Sequence, residues 1–167
     1  AGKTSTLNED IIYIDPRNEK LGAKIISEQK NIQLIIKKLN LKISDKKKYY
    51  EQSFNLGIPQ INLDKLKDKI FGVENNLDEL NGIDFTKGCY IGQENTSRIK
   101  LRNKLRRRIL AIKKIEGEIL ENDIIKYGDK EIGKIMISEP YPFALVKVVD
   151  PDLEEFINTE LVCQKSK

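Results

Sequence analysis

Hydrophobic residues near the start of the chain follow a strand pattern. A β-branched and aromatic run covers Ile11–Ile14 and is stopped by the sequence Asp15-Pro16-Arg17. A second run of the same character covers Leu21–Ser27. Together the two runs predict a hairpin-like pair of strands. The polar residues 1–10 that precede them are expected to form an N-terminal tail or linker.

Helical spacing follows these strands. Apolar residues within Asn31–Asn40 recur every three or four positions, which predicts an amphipathic helix with its apolar face in the core. A second helix is predicted to start at a cap, either Ser44 or Asp45. It is expected to end at Leu56, because glycine and proline follow closely. Residues 73–85 are rich in turn-forming residues and predict a loop.

The C-terminal part of the chain changes to short β-rich runs separated by turns. These runs lie at Leu105–Ile115, Ile124–Tyr127, Ile132–Ser138, Phe143–Val149 and Glu160–Gln164. Such spacing predicts a small antiparallel β-barrel or sandwich, of which we expect the barrel. The predicted fold class is therefore α+β, with a middle domain at residues 11–104 and a C-terminal barrel domain at residues 105–167.

Composition removes several classes of chemistry. Histidine is absent from all 167 residues, which excludes Ser-His and Cys-His catalysis and histidine zinc sites. The two cysteines, Cys89 and Cys163, lack C-x-x-C spacing and indicate a reducing compartment. No run approaches the roughly 18 apolar residues of a membrane span. We therefore expect a cytoplasmic chain with no membrane partner.

Cys89 is the strongest candidate for chemistry. It lies between two glycines, Gly88 and Gly92, which allow a tight turn or a close approach to a ligand. If a helix begins at Gly92, Cys89 precedes its N-terminus, where the helix dipole and Lys87 both favour a thiolate. The alternative is that Cys89 is a small buried hydrophobic residue, which is the commoner fate of a lone cysteine.

The residues around Cys89 resemble the K-G-C-Y-x-G-Q-E signature of the YgfZ family of folate-binding proteins, which is related to the aminomethyltransferase of the glycine cleavage system. The fitting positions are Lys87, Gly88, Cys89, Tyr90, Ile91, Gly92, Gln93 and Glu94. Other elements of the family are similar to Asp15-Pro16-Arg17, Leu21-Gly22, Leu56-Gly57-Ile58-Pro59, residues 74–78, residues 82–85 and Ser97-Arg98. The resemblance reaches to about Arg108. Family members are usually longer, and we expect their N-terminal domain to be absent here.

This resemblance implies an aminomethyltransferase-like folate-binding fold and tetrahydrofolate as the cofactor. By the same resemblance, Glu74 contacts the pterin end of folate and Arg98 belongs to the cofactor site. The implied function is accessory: assembly or repair of iron-sulfur proteins, with an effect on tRNA-modifying iron-sulfur enzymes. One cysteine cannot supply the four ligands of a cluster. Cys89 is therefore expected to act as a transient ligand or thiol partner of assembly or client proteins.

A basic stretch leaves alternatives open. Seven positive side chains fall within eleven positions: Arg98, Lys100, Arg102, Lys104, Arg106, Arg107 and Arg108. They suit nucleic-acid phosphates, the polyglutamate tail of folate or an acidic partner, or else a solvated helix end before an edge strand. No aromatic residues interleave with them, so an anionic cofactor is preferred and a nucleic-acid partner is not expected. The alternative functions are a basic RNA-binding module and an aminomethyltransferase-like enzyme. A eukaryotic source would place the protein in the mitochondrial matrix.

Overall fold

The fold combines short helices with two antiparallel sheets. The computed structural model describes residues 4–7, 10–89, 91–101, 105–149 and 151–164. Within these ranges, one sheet has three strands and the other has five. The predicted α+β class is confirmed. None of the described helices has the length and apolar character needed to cross a bilayer.

The N-terminal sheet is built around the predicted hairpin. Its strands are β1 (Thr4–Leu7), β2 (Asp10–Ile14) and β3 (Ala23–Ile26), in the order β1-β2-β3. Ile11 lies opposite Ile26 across the β2–β3 pair, so the hairpin is confirmed. Residues 1–10 were expected to form a tail, but strand β1 lies within them. It forms there because its backbone pairs with the edge of β2.

Two helices follow the hairpin near their predicted positions. Helix α1 spans Ile32–Lys38, and helix α2 spans Lys46–Asn55. The Asp45 carboxylate caps α2 by accepting a hydrogen bond from the backbone N–H of Lys47 at 2.9 Å. The apolar face of α1 was expected to be core, but Ile35 is its one buried residue. Ile36 is half-buried, while Ile32 and Leu39 are 42% and 41% exposed, so the described chain covers this face only in part.

The C-terminal sheet contains all five predicted strands. They are β4 (Arg107–Ala111), β5 (Ile124–Tyr127), β6 (Lys130–Ile137), β7 (Phe143–Lys147) and β8 (Val162–Gln164). All their pairings are antiparallel, in the order β4-β7-β6-β5-β8. Strands β4 and β8 end the sheet in the described ranges, so closure into a barrel stays a prediction. At Gly133 a Cβ atom would lie 2.5 Å from the carbonyl oxygen of Leu145, so only glycine fits there.

Both faces of this sheet are buried, each in its own cluster. On one face, Ile109, Phe143 and Leu145 pack against Leu66 from the preceding segment. Phe54 of α2 joins them, with its ring centroid 5.6 Å from that of Phe143. The predicted domain boundary near residue 104 is thus bridged by packed side chains, and it stays a prediction.

The other face of the five-stranded sheet is covered by a short helix near the C-terminal end of the chain. Ile125, Ile132, Ile135 and Val146 pack against Phe156. Phe156 belongs to helix α4 (Leu153–Phe156), whose N-terminus is closed by a reciprocal capping box. The alternation of buried residues along β7 therefore serves two clusters at once.

A buried carboxylate holds the hairpin to α2. Asp15 is 1% exposed, and its two oxygens bind the Arg17 guanidinium at 2.8 and 3.0 Å and the Lys24 ammonium at 3.2 Å. Arg17 in turn donates to the Tyr49 hydroxyl of α2 at 3.0 Å. These bonds, with that from Arg17 the strongest, hold the pKa of Asp15 well below its usual range. The Asp-Pro-Arg segment therefore connects the hairpin to helix α2.

Replacing Asp15 with alanine is expected to lower the free energy of unfolding by about 2 kcal/mol at neutral pH, less than for a fully buried pair because Arg17 is partly exposed. Since the folded pKa is depressed, this contribution is present above about pH 5 and is lost as the pH falls through the acid range. Urea unfolding measured at several pH values should therefore show a shallower acid dependence for Asp15→Ala. The exposed Glu51→Gln is the control, and equal slopes for the wild type and Asp15→Ala would contradict the assignment.

Candidate functional site

The approach to the cysteine motif is fixed by a side-chain turn. The Asp84 carboxylate accepts hydrogen bonds from the Thr86 hydroxyl at 2.6 Å and the Thr86 backbone N–H at 2.8 Å. These bonds, the one from the hydroxyl first, hold the pKa of Asp84 below its ordinary value. The chain then runs through Lys87 and Gly88 to Cys89. We call residues 84–92 the motif loop.

Cys89 is exposed within this loop, so its interpretation as a buried hydrophobic residue is wrong. Gly92 has a φ of +85°, a left-handed conformation that favours glycine. The predicted helix then follows as α3, spanning Gln93–Leu101. Cys89 thus lies four positions before the first residue of α3. Tyr90 of the motif lies outside the described residues.

The C-terminal end of α3 is held by one lysine. Lys100 forms an ion pair with Asp78, and its ammonium lies 5.3 Å from the centre of the Phe85 ring. Asp78 belongs to residues 71–82, which we call the edge loop, and Phe85 belongs to the motif loop. Lys100 therefore joins α3 to both loops. The sequence interpretation assigned no role to Asp84 or Thr86, although an aspartate two residues before a threonine is a turn signal.

An open depression of about 530 Å³ lies on α3. It is lined by Gln93, Glu94, Ser97, Arg98 and Leu101. Three of the predicted site residues, Gln93, Glu94 and Arg98, line it, and the Arg98 guanidinium donates to the Glu94 carboxylate at 2.9 Å. The side chains of Ile91 and Leu101 are largely exposed. The surface carries both charge and apolar area next to the cysteine motif.

Glu74 is placed elsewhere and has partners of its own. It is 6% exposed, and its carboxylate accepts from the Phe71 backbone N–H at 2.9 Å and from Arg107 Nε at 2.8 Å. Its backbone carbonyl accepts from the Ile109 N–H at 2.8 Å. Glu74 does not line the depression that contains Arg98. The structure therefore does not bring the two predicted folate contacts together in that depression.

The basic stretch is largely paired with acidic side chains. Arg98 pairs with Glu94, Lys100 with Asp78, Arg107 with Glu74 and Arg108 with Glu79. The side chains at positions 102 and 104 lie outside the described residues. Most of the charge that the sequence concentrates here is thus compensated by the edge loop and α3. This pairing weakens the interpretation as a nucleic-acid surface.

The thiols are the soft ligands that the chain offers. In the described ranges, no group of three or more cysteine and acidic residues is placed to hold a metal ion. Cys163, on strand β8, is half-buried, and burial, followed by the charge of Asp123, raises the pKa of its thiol. Cys89 is the more accessible of the two. Chemically, the site offers one exposed thiol, two positions after Lys87 and four positions before the first residue of α3.

Comparison with known proteins gives this site a context. No protein-family model matches the chain. It is 32% identical over 151 residues to the mitochondrial iron-sulfur cluster assembly factor IBA57 homolog of Neurospora crassa, a match that covers 90% of this chain. It is 33% identical over 120 residues, 68% of the chain, to the homolog of Dictyostelium discoideum. The mouse factor is 31% identical over 105 residues, 63% of the chain.

The chain's curated homologues are iron-sulfur cluster assembly factors. Its matched part spans 31%, 29% and 28% of the lengths of these three relatives. The relatives are named as mitochondrial proteins. The resemblance to the YgfZ family and the roles of individual site residues stay predictions.

Alkylation is expected to distinguish the two thiols. Iodoacetamide should modify Cys89 at least about tenfold faster than Cys163 near neutral pH, because the thiolate is the nucleophile and burial disfavours it at Cys163. Mass spectrometry of time points resolves the two sites, and the single variants Cys89→Ser and Cys163→Ser serve as matched controls. Equal rates at the two cysteines would contradict the described exposure.

Proposed function

We propose that this chain carries the cysteine-bearing part of an iron-sulfur cluster assembly factor. The observation that carries the proposal is an exposed Cys89, three positions after the turn that Asp84 and Thr86 form, in a chain whose homologues are named for that function. A solvent-accessible thiol can bind iron or a partner's sulfur, whereas a buried one is inert. Cys89 would supply one ligand during assembly, and the other ligands would come from a partner protein.

The role is accessory rather than catalytic. A chain without histidine lacks the usual base for activating a thiol at neutral pH, and Cys89 has no second cysteine nearby in sequence. These features favour transfer or protection of a cluster over turnover of a small substrate. The proposed partners are iron-sulfur carriers or clients, and tRNA-modifying iron-sulfur enzymes are among the proposed beneficiaries. The relatives are named as mitochondrial, which supports a mitochondrial location, and the matrix is the compartment that we propose.

Tetrahydrofolate is proposed as the cofactor on the strength of the motif resemblance. Among the described residues, Arg98 and Gln93 line the open depression beside the motif loop, where a guanidinium would suit a folate carboxylate. Glu74 fits the cofactor less well, because its buried carboxylate already holds Arg107 and a backbone N–H. The depression is open, while cofactor sites usually enclose most of their ligand. Further walls would have to come from additional polypeptide.

Cys89→Ser is expected to remove most of the chain's ability to support iron-sulfur enzymes. The measurement is aconitase-type activity in cells that lack their own assembly factor and carry this sequence in the context of a full-length relative. Cys163→Ser should retain wild-type activity, since its thiol is half-buried on an edge strand. Full activity of the Cys89→Ser variant would reject the proposed role of this thiol.

Calorimetry with tetrahydrofolate tests the cofactor separately, on this chain and in the same full-length context. Binding that Arg98→Ala weakens about tenfold supports the cofactor assignment, as expected for the loss of a charged hydrogen bond. Lys69→Ala, on an exposed loop, is the control for a lost positive charge. Absence of binding in both contexts would count against folate while leaving the role of Cys89 intact.

A further inference from the structure

A second positive surface lies far from the motif in sequence. It comprises residues 34–48, from α1 to the start of α2, and we call it the lysine-rich surface. Six lysines lie here, all exposed: Lys37, Lys38, Lys42, Lys46, Lys47 and Lys48. One acidic residue, Asp45, accompanies them, so the segment carries 6 − 1 = +5, against +4 for the whole chain. The remainder of the protein is therefore close to neutral.

None of these six ammonium groups forms an ion pair within the described ranges. This contrasts with the basic stretch near α3, whose described charges are mostly paired. Asp45 is itself engaged in capping α2. The lysine-rich surface thus carries positive charge that no described acidic side chain neutralises, and such charge favours binding of an anionic partner.

Exposed aliphatic side chains lie among the lysines. Leu34 is 68% exposed and Ile43 is 83% exposed, and Leu39 and Leu41 are also exposed. The turn that follows α1 is well defined: the Leu41 N–H donates to the Ile36 carbonyl at 2.9 Å. Asn40 adopts the left-handed conformation there, as in a standard helix C-terminal motif. Leu39 and Leu41 therefore flank a defined turn, with Leu34 on the preceding helix and Ile43 two positions beyond it.

The composition of this surface indicates which kind of anionic partner it fits. Protein interfaces are enriched in arginine and aromatic residues and depleted in lysine, while residues 34–48 contain no arginine and no aromatic residue. Single-stranded nucleic acid also favours aromatic stacking. Lysines around exposed aliphatic side chains are instead typical of surfaces that lie in the headgroup region of a bilayer. There the aliphatic groups enter the acyl boundary while the ammonium groups remain at the phosphates.

We propose that the lysine-rich surface binds peripherally to membranes that contain anionic phospholipid. The expectation of no membrane partner followed from the lack of a spanning segment, and peripheral binding does not need one. The lysines provide attraction to the negative surface, and Ile43 and Leu34 are the side chains that enter the bilayer. This binding is independent of Cys89 and of folate.

Sedimentation of the 167-residue chain with vesicles tests the proposal. Vesicles of phosphatidylcholine with about one quarter phosphatidylglycerol should bind the chain, and pure phosphatidylcholine should not. Binding should weaken as salt is raised, because the Debye length shortens. The combined variant Lys37→Gln, Lys38→Gln, Lys42→Gln should bind about a hundredfold more weakly, at roughly fivefold per lysine. Ile43→Ser should weaken binding about tenfold.

Matched controls keep the experiment decisive. Lys69→Gln, Lys113→Gln, Lys114→Gln removes the same charge from other exposed positions, and Ile115→Ser removes an isoleucine that is 66% exposed. Both controls should bind like the wild type, and unchanged melting temperatures should show that all variants fold. Equal losses in test and control variants would overturn the proposal. So would binding to polyglutamate or RNA oligomers without binding to anionic vesicles, which would assign the surface to an acidic protein or to nucleic acid.

Discussion

The ion pair between Glu74 and Arg107 is the contact on which the candidate site depends. Strand β4 ends the five-stranded sheet, and its outward-facing backbone groups at Ile109 need partners. The edge loop supplies them: the Glu74 carbonyl accepts from the Ile109 N–H, and the Asn76 side-chain amide donates to the Ile109 carbonyl at 2.9 Å. The Glu74 carboxylate then fixes the loop by holding Arg107 and the Phe71 backbone. An open strand edge is thereby covered.

The edge loop also contacts the helix that follows the cysteine motif. Its Asp78 holds Lys100 of α3, and its Asn81 side chain donates to the Pro16 carbonyl of the hairpin turn at 2.7 Å. The packed sheet, the edge loop and α3 therefore form a continuous series of contacts that ends at the motif loop. Cys89 itself is exposed, so its position depends on these contacts and not on burial. The family resemblance assigns the Glu74 carboxylate to folate binding. Within this chain the same carboxylate has a structural role, because it holds the edge loop against strand β4.

Sequence patterns predicted the regular elements better than they predicted the site. The hairpin, α1, α2, α3 and the five C-terminal strands follow from local spacing, caps and turn residues, which act within a few positions. The pairing of the basic stretch with the edge loop did not follow, because Arg107 and Glu74 are 33 positions apart and meet only through the sheet edge. The exposure of Cys89 was also undecided, since a lone cysteine is compatible with core or surface. The exposed face of α1 was missed because helical spacing shows which face is apolar but not whether anything covers it.

Hydrogen exchange in a Glu74→Gln variant tests whether this carboxylate supports the cysteine motif. Loss of a hydrogen bond between charged groups, worth about 1.5 kcal/mol, should raise amide exchange about tenfold in residues 71–82 and in α3. Exchange at Ile125 and Ile132, in the packed centre of the sheet, should stay at the wild-type rate. If residues 71–82 exchange faster while α3 keeps its wild-type protection, the edge loop does not support the cysteine motif.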